Sequence, residues 1–381
     1  MIERKEMQEI ADGYGRDVTV GVLASHSALD VLDGASQENL RNIAVAEKGR
    51  DETYSKYFMK VSFGGRVRGV VDEVLLLNKF REIMLKRNIQ LLKRKHVVFV
   101  PNRSFSSYCS LEDIENNFPI PIFGSRALLR SEEREEKDNY YRMLQEAGLP
   151  YPEEIKPEEI DELVIVKLHH KRKRLERGFF TASSYDEFKK KSEALISQGV
   201  ISANELKNAR IERYIIGPVF NLNFFYSPLH ERDEALELLG VDWRFESSLD
   251  GHVRLPAEQQ LSLPDHQKIP EYTVVGHSSS TLRESLLENA LKMAEKYVTV
   301  TQKLKPPGII GPFTLQTCVD KDLNFYIYDV APRIGGGTNI HIWSGHPYGN
   351  MLYNTNMSTG RRIAMEIKTA VVEERLADIV T

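Results

Sequence analysis

Short runs of β-favouring residues alternate with helix-favouring segments through the first 124 residues of this chain. We predict strands at residues 18–23, 43–45, 71–77 and 97–100. A helix is predicted to begin at Ser27, an amphipathic stretch covers residues 78–93, and Ile120–Phe123 closes the unit. Strands separated by helical connections pair in parallel, because the connection returns the chain to the same end of the sheet. The first third of the chain therefore predicts a parallel α/β domain.

The chain is too long for a single compact core, since 381 residues correspond to two or three α/β units. Hydrophobic residues make up 41% and charged residues 28%, and the formal net charge of -4 gives no basic field for nucleic acid. No run approaches the roughly 20 apolar residues of a membrane span, and the charged N-terminus lacks a signal peptide. Cys109 and Cys318 fit a reducing compartment. We therefore expect a cytoplasmic protein without nucleic-acid or membrane partners.

The composition of the sequence changes after Gly124, where charged residues become frequent. Residues 125–145 are strongly charged and predict a helix that the glycine and prolines of residues 147–152 bring to an end. Further strands are predicted at residues 164–168, 178–182 and 214–226, with a hairpin over residues 313–330. Further helices are predicted at residues 185–197, 203–210, 280–304 and 358–374.

Three polar loops follow predicted strands of the first domain. Ser25, His26 and Ser27 lie where the first strand meets a helix N-terminus, whose free N–H groups and dipole favour an anion. The loops at residues 48–50 and 101–104 add lysine, arginine, asparagine and serine at the same sheet edge. Parallel sheets bind ligands at this edge, so the pattern predicts a phosphorylated ligand. The alternative is an ordinary helix cap with a histidine beside it.

Lys167 lies on a predicted apolar strand and is followed by a basic loop, HHKRKR, at residues 169–174. A lysine fixed on a strand can contact a phosphate, and a loop between two strands can close over a nucleotide. The alternatives are a solvated hairpin tip or a nucleic-acid contact. His169 and His170 have no carboxylate or cysteine close by in the sequence, so they are weak evidence for a metal site.

The hairpin near the C-terminus places oxygen-bearing side chains on one face. If residues 319–322 form the turn, Gln316 faces Phe325 and Asp329 shares that face, because side chains alternate along a strand. Oxygen ligands from adjacent strands suit Mg²⁺ that bridges nucleotide phosphates. Arg333, four residues beyond Asp329, can neutralise a transferring phosphoryl group. The alternative makes Asp329 an ordinary strand-end residue and the three following glycines a flexible loop.

The order of these segments is similar to the ATP-grasp fold: a small α/β unit, a charged helix ending in AGLPYP, the strand VIVKL, and paired strands ending in D-x-x-x-R. Longer stretches strengthen the likeness, namely GVLASHSALDVLDGA, YSPLHERDEALELLGVDWRFESSLDGHVRLPA, TLRESLL and STGRRIAMEI. With these, the chain resembles the archaeal 5-formaminoimidazole-4-carboxamide ribonucleotide synthetase family over nearly its whole length. The resemblance implies an α/β protein with an N-terminal Rossmann-like substrate domain at residues 1–124. An ATP-grasp domain is expected at residues 125–381, with a lid at about residues 160–225.

The resemblance implies an enzyme that joins formate to the amine of aminoimidazole carboxamide ribonucleotide, through formyl phosphate, using ATP and Mg²⁺ in purine biosynthesis. Together, the local patterns and the resemblance assign substrate contacts to His26, Ser27, Ser104 and His277. Nucleotide contacts are assigned to Lys167, Glu212 and Glu246. Metal binding is assigned to Gln316 and Asp329, and catalysis to Arg333. A homo-oligomer is also expected.

The sequence departs from the pattern of that family at several site positions. Asn102 and Arg103 lie in PNRS where the family commonly has PHGS, and His277 lies where an asparagine is usual. Gln316 replaces an acidic metal ligand, and a neutral amide removes one unit of charge facing Mg²⁺. Two alternatives therefore stay open: a related ligase with another acid or amine, and a nucleotide-binding paralogue without catalysis.

Overall fold

The computed structural model describes residues 1–168, 179–231, 233–268 and 273–381. Its strands are β1 Thr19–Leu23, β2 Arg41–Glu47, β3 Val61–Phe63, β4 Arg66–Arg68, β5 Glu73–Leu77, β6 Val97–Val100, β7 Val164–Lys167, β8 Phe179–Ala182, β9 Arg210–Arg213, β10 Val219–Tyr226, β11 Leu236–Glu246, β12 Val274–Ser280, β13 Gly311–Val319 and β14 Phe325–Ala331. Its helices are α1 Arg4–Asp12, α2 Ala28–Gln37, α3 Lys86–Arg94, α4 Arg103–Tyr108, α5 Leu111–Asn116, α6 Arg126–Leu129, α7 Tyr140–Glu146, α8 Tyr185–Ser197, α9 Ala203–Lys207, α10 Ser247–His252, α11 Ala257–Ser262, α12 Asp265–Lys268, α13 Glu284–Leu304, α14 Pro347–Tyr353 and α15 Thr359–Val372.

The N-terminal region is built on a parallel sheet, as predicted, with strand order β5-β2-β1-β6. Every residue of β1 and β6 is buried, because helices and the C-terminal region cover both faces. Ile120–Phe123, which was expected to close the unit, makes isolated bridges, from Ile122 to Phe99 of β6 and from Phe123 to Val380. An additional hairpin, β3–β4, lies between β2 and β5 and was not predicted.

The predicted charged helix at residues 125–145 is wrong, because the chain forms two short helices, α6 and α7, separated by a 3-10 turn at Arg130–Glu132 and irregular structure. Its charged residues make ion pairs with other segments, including Arg130 with Glu115 at 2.7 Å. Asn139 then begins α7, and its side chain accepts hydrogen bonds from the backbone of Tyr141 and Arg142 at 3.0 and 3.2 Å. Tertiary ion pairs outweigh helix propensity in this segment.

A five-stranded antiparallel sheet, with strand order β12-β11-β10-β13-β14, forms the centre of the molecule. The sequence predicted β10, β13 and β14 but not β11 or β12. The expected register of the hairpin was wrong, since Val319 pairs with Phe325 and Gln316 pairs directly with Asp329. The turn lies at residues 320–324, where Asp320 accepts hydrogen bonds from the backbone of two later turn residues at 2.9 Å each. This register brings the two predicted metal ligands onto neighbouring positions.

A separate three-stranded antiparallel sheet, β8-β7-β9, carries Lys167 at the end of its central strand. Its own apolar core includes Val164, Val166, Phe188 and Ile211. Strand β10 belongs to the central sheet, so the small sheet ends at Arg213. The basic loop at residues 169–174 lies outside the described residues, and the predicted domain boundaries stay predictions.

The last long helix, α15, packs against α2 of the N-terminal region. A Cβ atom on Gly360 would lie 2.0 Å from the carbonyl oxygen of Asp30, so the two backbones are in direct contact. The buried Asp30 carboxylate accepts a hydrogen bond from the backbone N–H of Gly360 at 2.9 Å. Ile363 and Ile367 of α15 therefore share one core with the N-terminal sheet. Over the described part of the chain, no helix is both long enough and apolar enough to cross a bilayer.

Candidate active site

A cavity of about 430 Å³ lies where the N-terminal region meets the central sheet. Its walls come from the loop after β1, from strands β10 to β14, and from the loop that follows β14. Of the residues that the sequence singled out, this cavity brings together His26, His277, Gln316, Asp329 and Arg333. Side chains more than 300 positions apart in the sequence thus share one polar cavity.

His26 lies three residues beyond the end of β1 and has a positive φ of 51°, which is uncommon for a residue other than glycine. Burial, followed by the charges of Arg333 and Arg103, lowers the pKa of His26 to about 4. The ring is therefore neutral at physiological pH. Ser27 is fully buried, and its hydroxyl donates to the backbone carbonyl of Gly335 rather than lining the cavity. Ser27 thus holds the glycine loop against the helix start.

The glycine loop after β14 packs closely against polar side chains, in contrast to a freely flexible loop. A Cβ atom on Gly337 would lie 2.5 Å from Oδ1 of Asp242 and 2.6 Å from Nδ1 of His277. A Cβ atom on Gly336 would lie 3.3 Å from Nδ1 of His26. Glycine is therefore required at residue 337 to let the backbone approach these groups.

Asp242 is the centre of a buried hydrogen-bond network that sequence analysis missed. Its carboxylate accepts from the side-chain amides of Asn221 at 2.8 Å and Asn223 at 2.6 Å, and it lies 2.9 Å from Nδ1 of His277. The hydroxyl of Thr314 donates to the oxygen of Asn223 at 3.0 Å. A signal existed in the sequence, because Asn221 and Asn223 are polar residues at the two-residue spacing that places them on one face of an otherwise apolar strand.

Gln316 and Asp329 form the candidate metal site. The amide nitrogen of Gln316 donates to Oδ2 of Asp329 at 3.2 Å, and Oε1 of Gln316 is buried with no hydrogen-bond partner among the described residues. An unpartnered amide oxygen beside a carboxylate matches the oxygen ligands that Mg²⁺ takes. Within the described ranges, no group of three or more His, Cys, Asp or Glu side chains is placed to hold a metal. These two residues therefore fit a cation that completes its coordination with substrate oxygens.

Arg333 is 7% exposed and anchored by two contacts: one guanidinium nitrogen is paired with Glu132, and another donates to the carbonyl of Ile334 at 2.7 Å. Its Nε is buried without a hydrogen-bond partner in the described part of the chain. Arg103, one of the departures from the family pattern, lines the same cavity and pairs with Glu133 at 2.8 Å. Two fixed guanidinium groups therefore border a site with room for an anion.

Lys167 lies in a neighbouring cavity of about 640 Å³, which Arg134 also lines, so that arginine borders both cavities. The ammonium of Lys167 lies 2.5 Å from Glu212 and 3.0 Å from the hydroxyl of Tyr141. Burial opposes ionisation of Glu212, but the charges of Lys167 and Arg210 outweigh it and hold the pKa of this carboxyl below its usual range. Glu212 is therefore ionised beside the Lys167 amine.

The structure does not bring every predicted site residue to a cavity. Ser104 is buried in α4, and Asn102 caps that helix while its amide donates to the carbonyls of Leu23 and Ser25 at 2.9 Å each. Glu246 ends β11, where its backbone N–H donates to Asp250. Four predicted site residues are absent from the described lining of both cavities, namely Ser27, Ser104, Glu212 and Glu246.

The small sheet, the central sheet and the two cavities that Arg134 borders define an ATP-grasp enzyme. A biotin carboxylase from Campylobacter jejuni in complex with β,γ-ATP has a similar fold, with a TM-score of 0.58 at 15% identity over 92% of this chain and 70% of that one. The ADP complex of purK, N5-carboxyaminoimidazole ribonucleotide synthetase, gives a TM-score of 0.53 at 10% identity over 89% and 78% of the two chains. The predicted ATP-grasp fold is confirmed.

Closer relatives identify the family. Profiles described as "Protein of unknown function (DUF1246)" and "Domain of unknown function (DUF1297)" match residues 20–155 and 187–381. Proteins from Methanobrevibacter smithii and Methanocaldococcus jannaschii, both named 5-formaminoimidazole-4-carboxamide-1-(beta)-D-ribofuranosyl 5'-monophosphate synthetase, are each 38% identical over 100% of this chain and 99% and 100% of their own lengths. The crystal structure of the IMP biosynthesis protein PurP from Thermococcus kodakaraensis has a TM-score of 0.69 at 31% identity, over 95% of this chain and 100% of that one. The chain belongs to this synthetase family and is an ATP-dependent, ADP-forming ligase.

Proposed function

We propose that this enzyme joins formate to the amine of aminoimidazole carboxamide ribonucleotide, and so makes the formamido nucleotide of purine biosynthesis. The main support is that one cavity is lined by His26, His277, the oxygen pair of Gln316 and Asp329, and Arg333. A nucleotide amine and a phosphoryl group must meet in such a ligase, and one cavity with both kinds of contact satisfies that need. The names of the full-length relatives support the same substrate.

The proposed reaction has two steps. An oxygen of formate attacks the γ-phosphorus of ATP, which forms formyl phosphate and releases ADP; the amine then attacks the formyl carbon and releases phosphate. Mg²⁺ bound by Gln316 and Asp329 would neutralise charge on the phosphate oxygens. The guanidinium of Arg333 is already held in place by Glu132, so it neutralises developing charge without reorganisation.

Lys167 is proposed to hold the phosphates on the side of the small sheet. An ammonium group has three donors, so contacts with Glu212 and Tyr141 leave one donor for a phosphate oxygen. Arg134 borders both cavities, and ATP that reaches from the Lys167 side to the Gln316 side would pass this guanidinium. Glu212 is proposed to act through Lys167, because its carboxylate is fully buried behind the ammonium.

A second candidate, a nucleotide-binding paralogue without turnover, is favoured by one observation. Gln316 offers a single amide oxygen where a carboxylate would add a negative charge, and its amide nitrogen already donates to Asp329. The cation would then be held by one charged ligand of the protein, which weakens its binding.

The deciding measurement is ADP release by the purified protein with Mg²⁺, formate and aminoimidazole carboxamide ribonucleotide. We expect turnover that requires both substrates, and Gln316→Glu should lower the Mg²⁺ concentration at half-maximal rate because it adds a ligand charge. Gln259→Glu, an exposed change on α11, is the matched control and should leave that concentration unchanged. ATP binding without turnover, with activity appearing only in Gln316→Glu, would favour the second candidate.

A further inference from the structure

The middle glycine of the loop after β14 borders a niche between the two cavity histidines. The point that a Cβ atom on Gly336 would occupy lies 3.3 Å from Nδ1 of His26 and 3.7 Å from Nε2 of His277. All three residues line the cavity of about 430 Å³. Two imidazole nitrogens therefore face one small space, which a side chain at residue 336 would fill.

The backbone conformation of Gly336 does not itself require a glycine. Its φ lies outside the positive range that favours glycine, in contrast to the φ of 70° at Gly345. The nearest neighbours of a Cβ atom at residue 336 would be ring atoms of the two histidines, at 3.3 to 3.7 Å, and no backbone atom. An alanine is thus compatible with the fold at this position. The space that Gly336 leaves for a ligand explains the glycine better than the backbone does.

The niche is rigid because the residues on both sides of Gly336 are held in place. The carbonyl of Gly335 accepts a hydrogen bond from the buried hydroxyl of Ser27. A Cβ atom on Gly337 would lie 2.5 Å from Oδ1 of Asp242, so the backbone packs directly against that carboxylate. A ligand in the niche therefore meets groups that are already ordered, which lowers the cost of binding.

A buried carboxylate fixes the polarity of the first ring. Asp242 is 1% exposed, and its Oδ1 lies 2.9 Å from Nδ1 of His277. The same carboxylate accepts the side-chain amides of Asn221 and Asn223 at 2.8 and 2.6 Å, so each of these partners is a donor to it. A neutral ring that donates from Nδ1 keeps its lone pair on Nε2. Nε2 of His277 thus presents a hydrogen-bond acceptor to the niche.

His26 supplies the second ring of the niche. Burial, followed by the charges of Arg333 and Arg103, lowers the pKa of His26 to about 4, so this ring is neutral at physiological pH and has one acceptor nitrogen. A group with two N–H donors satisfies both rings, whereas a carboxylate or phosphate oxygen has no hydrogen to offer them. The niche therefore suits a neutral nitrogen group rather than an anion.

We propose that the niche at Gly336 holds the amine of the nucleotide and that Asp242 positions His277 for this contact, an inference that rests on the proposed function. Each of the two N–H groups of the amine donates to one ring. The lone pair of the amine stands out of the plane of these bonds and is directed towards the formyl carbon. Gly336 is thus a residue that determines specificity, and Asp242 is a positioning residue.

Gly336→Ala is the sharpest variant, because its methyl group takes the place of the amine. We expect kcat/KM for aminoimidazole carboxamide ribonucleotide to fall at least on the order of 10-fold, the lower range for one extra methyl-sized group in a binding site. The Kd of this nucleotide, measured by calorimetry without ATP, should rise by a similar factor, while the melting temperature stays close to that of the parent. Gly251→Ala in α10, where a Cβ meets nothing within 4 Å, is the matched control and should keep both values.

Variants of His277 test the polarity of the niche. His277→Asn should keep most of the affinity for the nucleotide, because its amide can donate to Asp242 while its carbonyl oxygen faces the niche. His277→Leu has no acceptor and should raise the Kd on the order of 10-fold. Asp242→Asn should raise the Kd less than His277→Leu, since it loosens the ring without removing it.

A further readout separates a contact with the amine from a general distortion of the cavity. Positional isotope exchange in ATP, measured with formate but without the nucleotide, reports formyl phosphate formation alone. Gly336→Ala and His277→Leu should both leave this exchange unchanged, because the amine takes no part in it.

The outcomes distinguish the two proposals. If the unmodified enzyme neither binds the nucleotide nor releases ADP that depends on formate and the amine, the proposed function and this inference are both overturned. If it turns over while Gly336→Ala keeps the parent kcat/KM and Kd, only the inference fails. Equal losses of isotope exchange and nucleotide binding in Gly336→Ala, or equal losses of affinity in His277→Asn and His277→Leu, would also overturn it.

Discussion

Asp30 is a buried carboxylate at the contact between α2 and α15. It accepts the backbone N–H of Gly360, yet its Oδ1 has no hydrogen-bond partner among the described residues. Burial outweighs its hydrogen bonds and raises the pKa of Asp30 from 3.8 to about 6. The folded state therefore holds this proton over a pH range in which the unfolded chain has released it.

The free energy of unfolding should reflect this proton. Below pH 3.8 both states hold it, and as pH rises to about 6 the native state loses about 3 kcal/mol relative to the unfolded chain. The Asp30→Asn variant has no proton to lose at this position. The free energy of unfolding of this variant minus that of the parent should therefore increase by about this amount between pH 4 and pH 7. Urea unfolding at a series of pH values measures the difference. Asp12→Asn, an exposed change on α1, is the control; a pH-independent difference for Asp30→Asn would contradict the prediction.

Several residues that the sequence singled out do share one cavity, because each lies in a short local pattern. His26 follows a strand, and Gln316, Asp329 and Arg333 lie on or just after one hairpin, and all four meet in one cavity. Asp242 could not be found in this way, because its partner His277 is 35 residues away on a strand that the sequence did not predict. Side-chain networks across strands depend on register, which local patterns do not determine.

At the scale of elements, several apolar strands and capped helices were predictable, whereas the polar edge strand β12 was not. β1, β6 and α8 lie close to their expected positions, because buried runs and capped helices have strong local signals. β12, with the sequence VVGHSSS, has little apolar character, since it lies at the edge of the sheet and faces the cavity. The single helix predicted at residues 125–145 does not form for another reason: charged side chains of this segment pair with distant segments of the chain.

The contact between α2 and α15 gives a prediction at this scale. In Gly360→Ala the new Cβ would meet the backbone of Asp30 at 2.0 Å, so the helices must separate. We expect a loss of about 1–3 kcal/mol in the free energy of unfolding, the usual cost of overpacking. Gly251→Ala in α10 is the matched control, because a Cβ there meets nothing within 4 Å and alanine favours the helix. Denaturant unfolding of both variants tests this, and equal stabilities would contradict it.

At the scale of the whole molecule, one arginine connects distant parts of the chain. Arg126 is 2% exposed, and its guanidinium donates to the carbonyls of Phe118 at 3.0 Å, Ile120 at 2.9 Å and Thr381 at 3.0 Å, as well as to that of Ile114. Burial lowers the pKa of this guanidinium to about 10, so it stays charged at neutral pH. The acceptors of its hydrogen bonds are backbone carbonyl groups rather than a carboxylate.

Arg126→Lys should be strongly destabilising despite keeping the charge. Lysine has one nitrogen and cannot reach carbonyls on several sides, so at least two buried acceptors lose their donor. At about 1–3 kcal/mol for each buried unsatisfied group, we expect a loss of about 2–6 kcal/mol in the free energy of unfolding. Thermal and urea unfolding measure it. Arg94→Lys on the exposed end of α3 should change stability little, and similar behaviour of the two variants would rule out this role for Arg126.

The contacts of Thr381 have a consequence for synthesis on the ribosome. Its backbone pairs with Ile122 in both directions at 3.0 Å, and its hydroxyl binds a segment 255 residues earlier in the chain. At about 5–20 residues per second, the ribosome needs roughly 13–50 s to translate that interval. The N-terminal sheet is thus made early but lacks these partners until Thr381 has been translated. During that time its exposed core is a candidate substrate for chaperones.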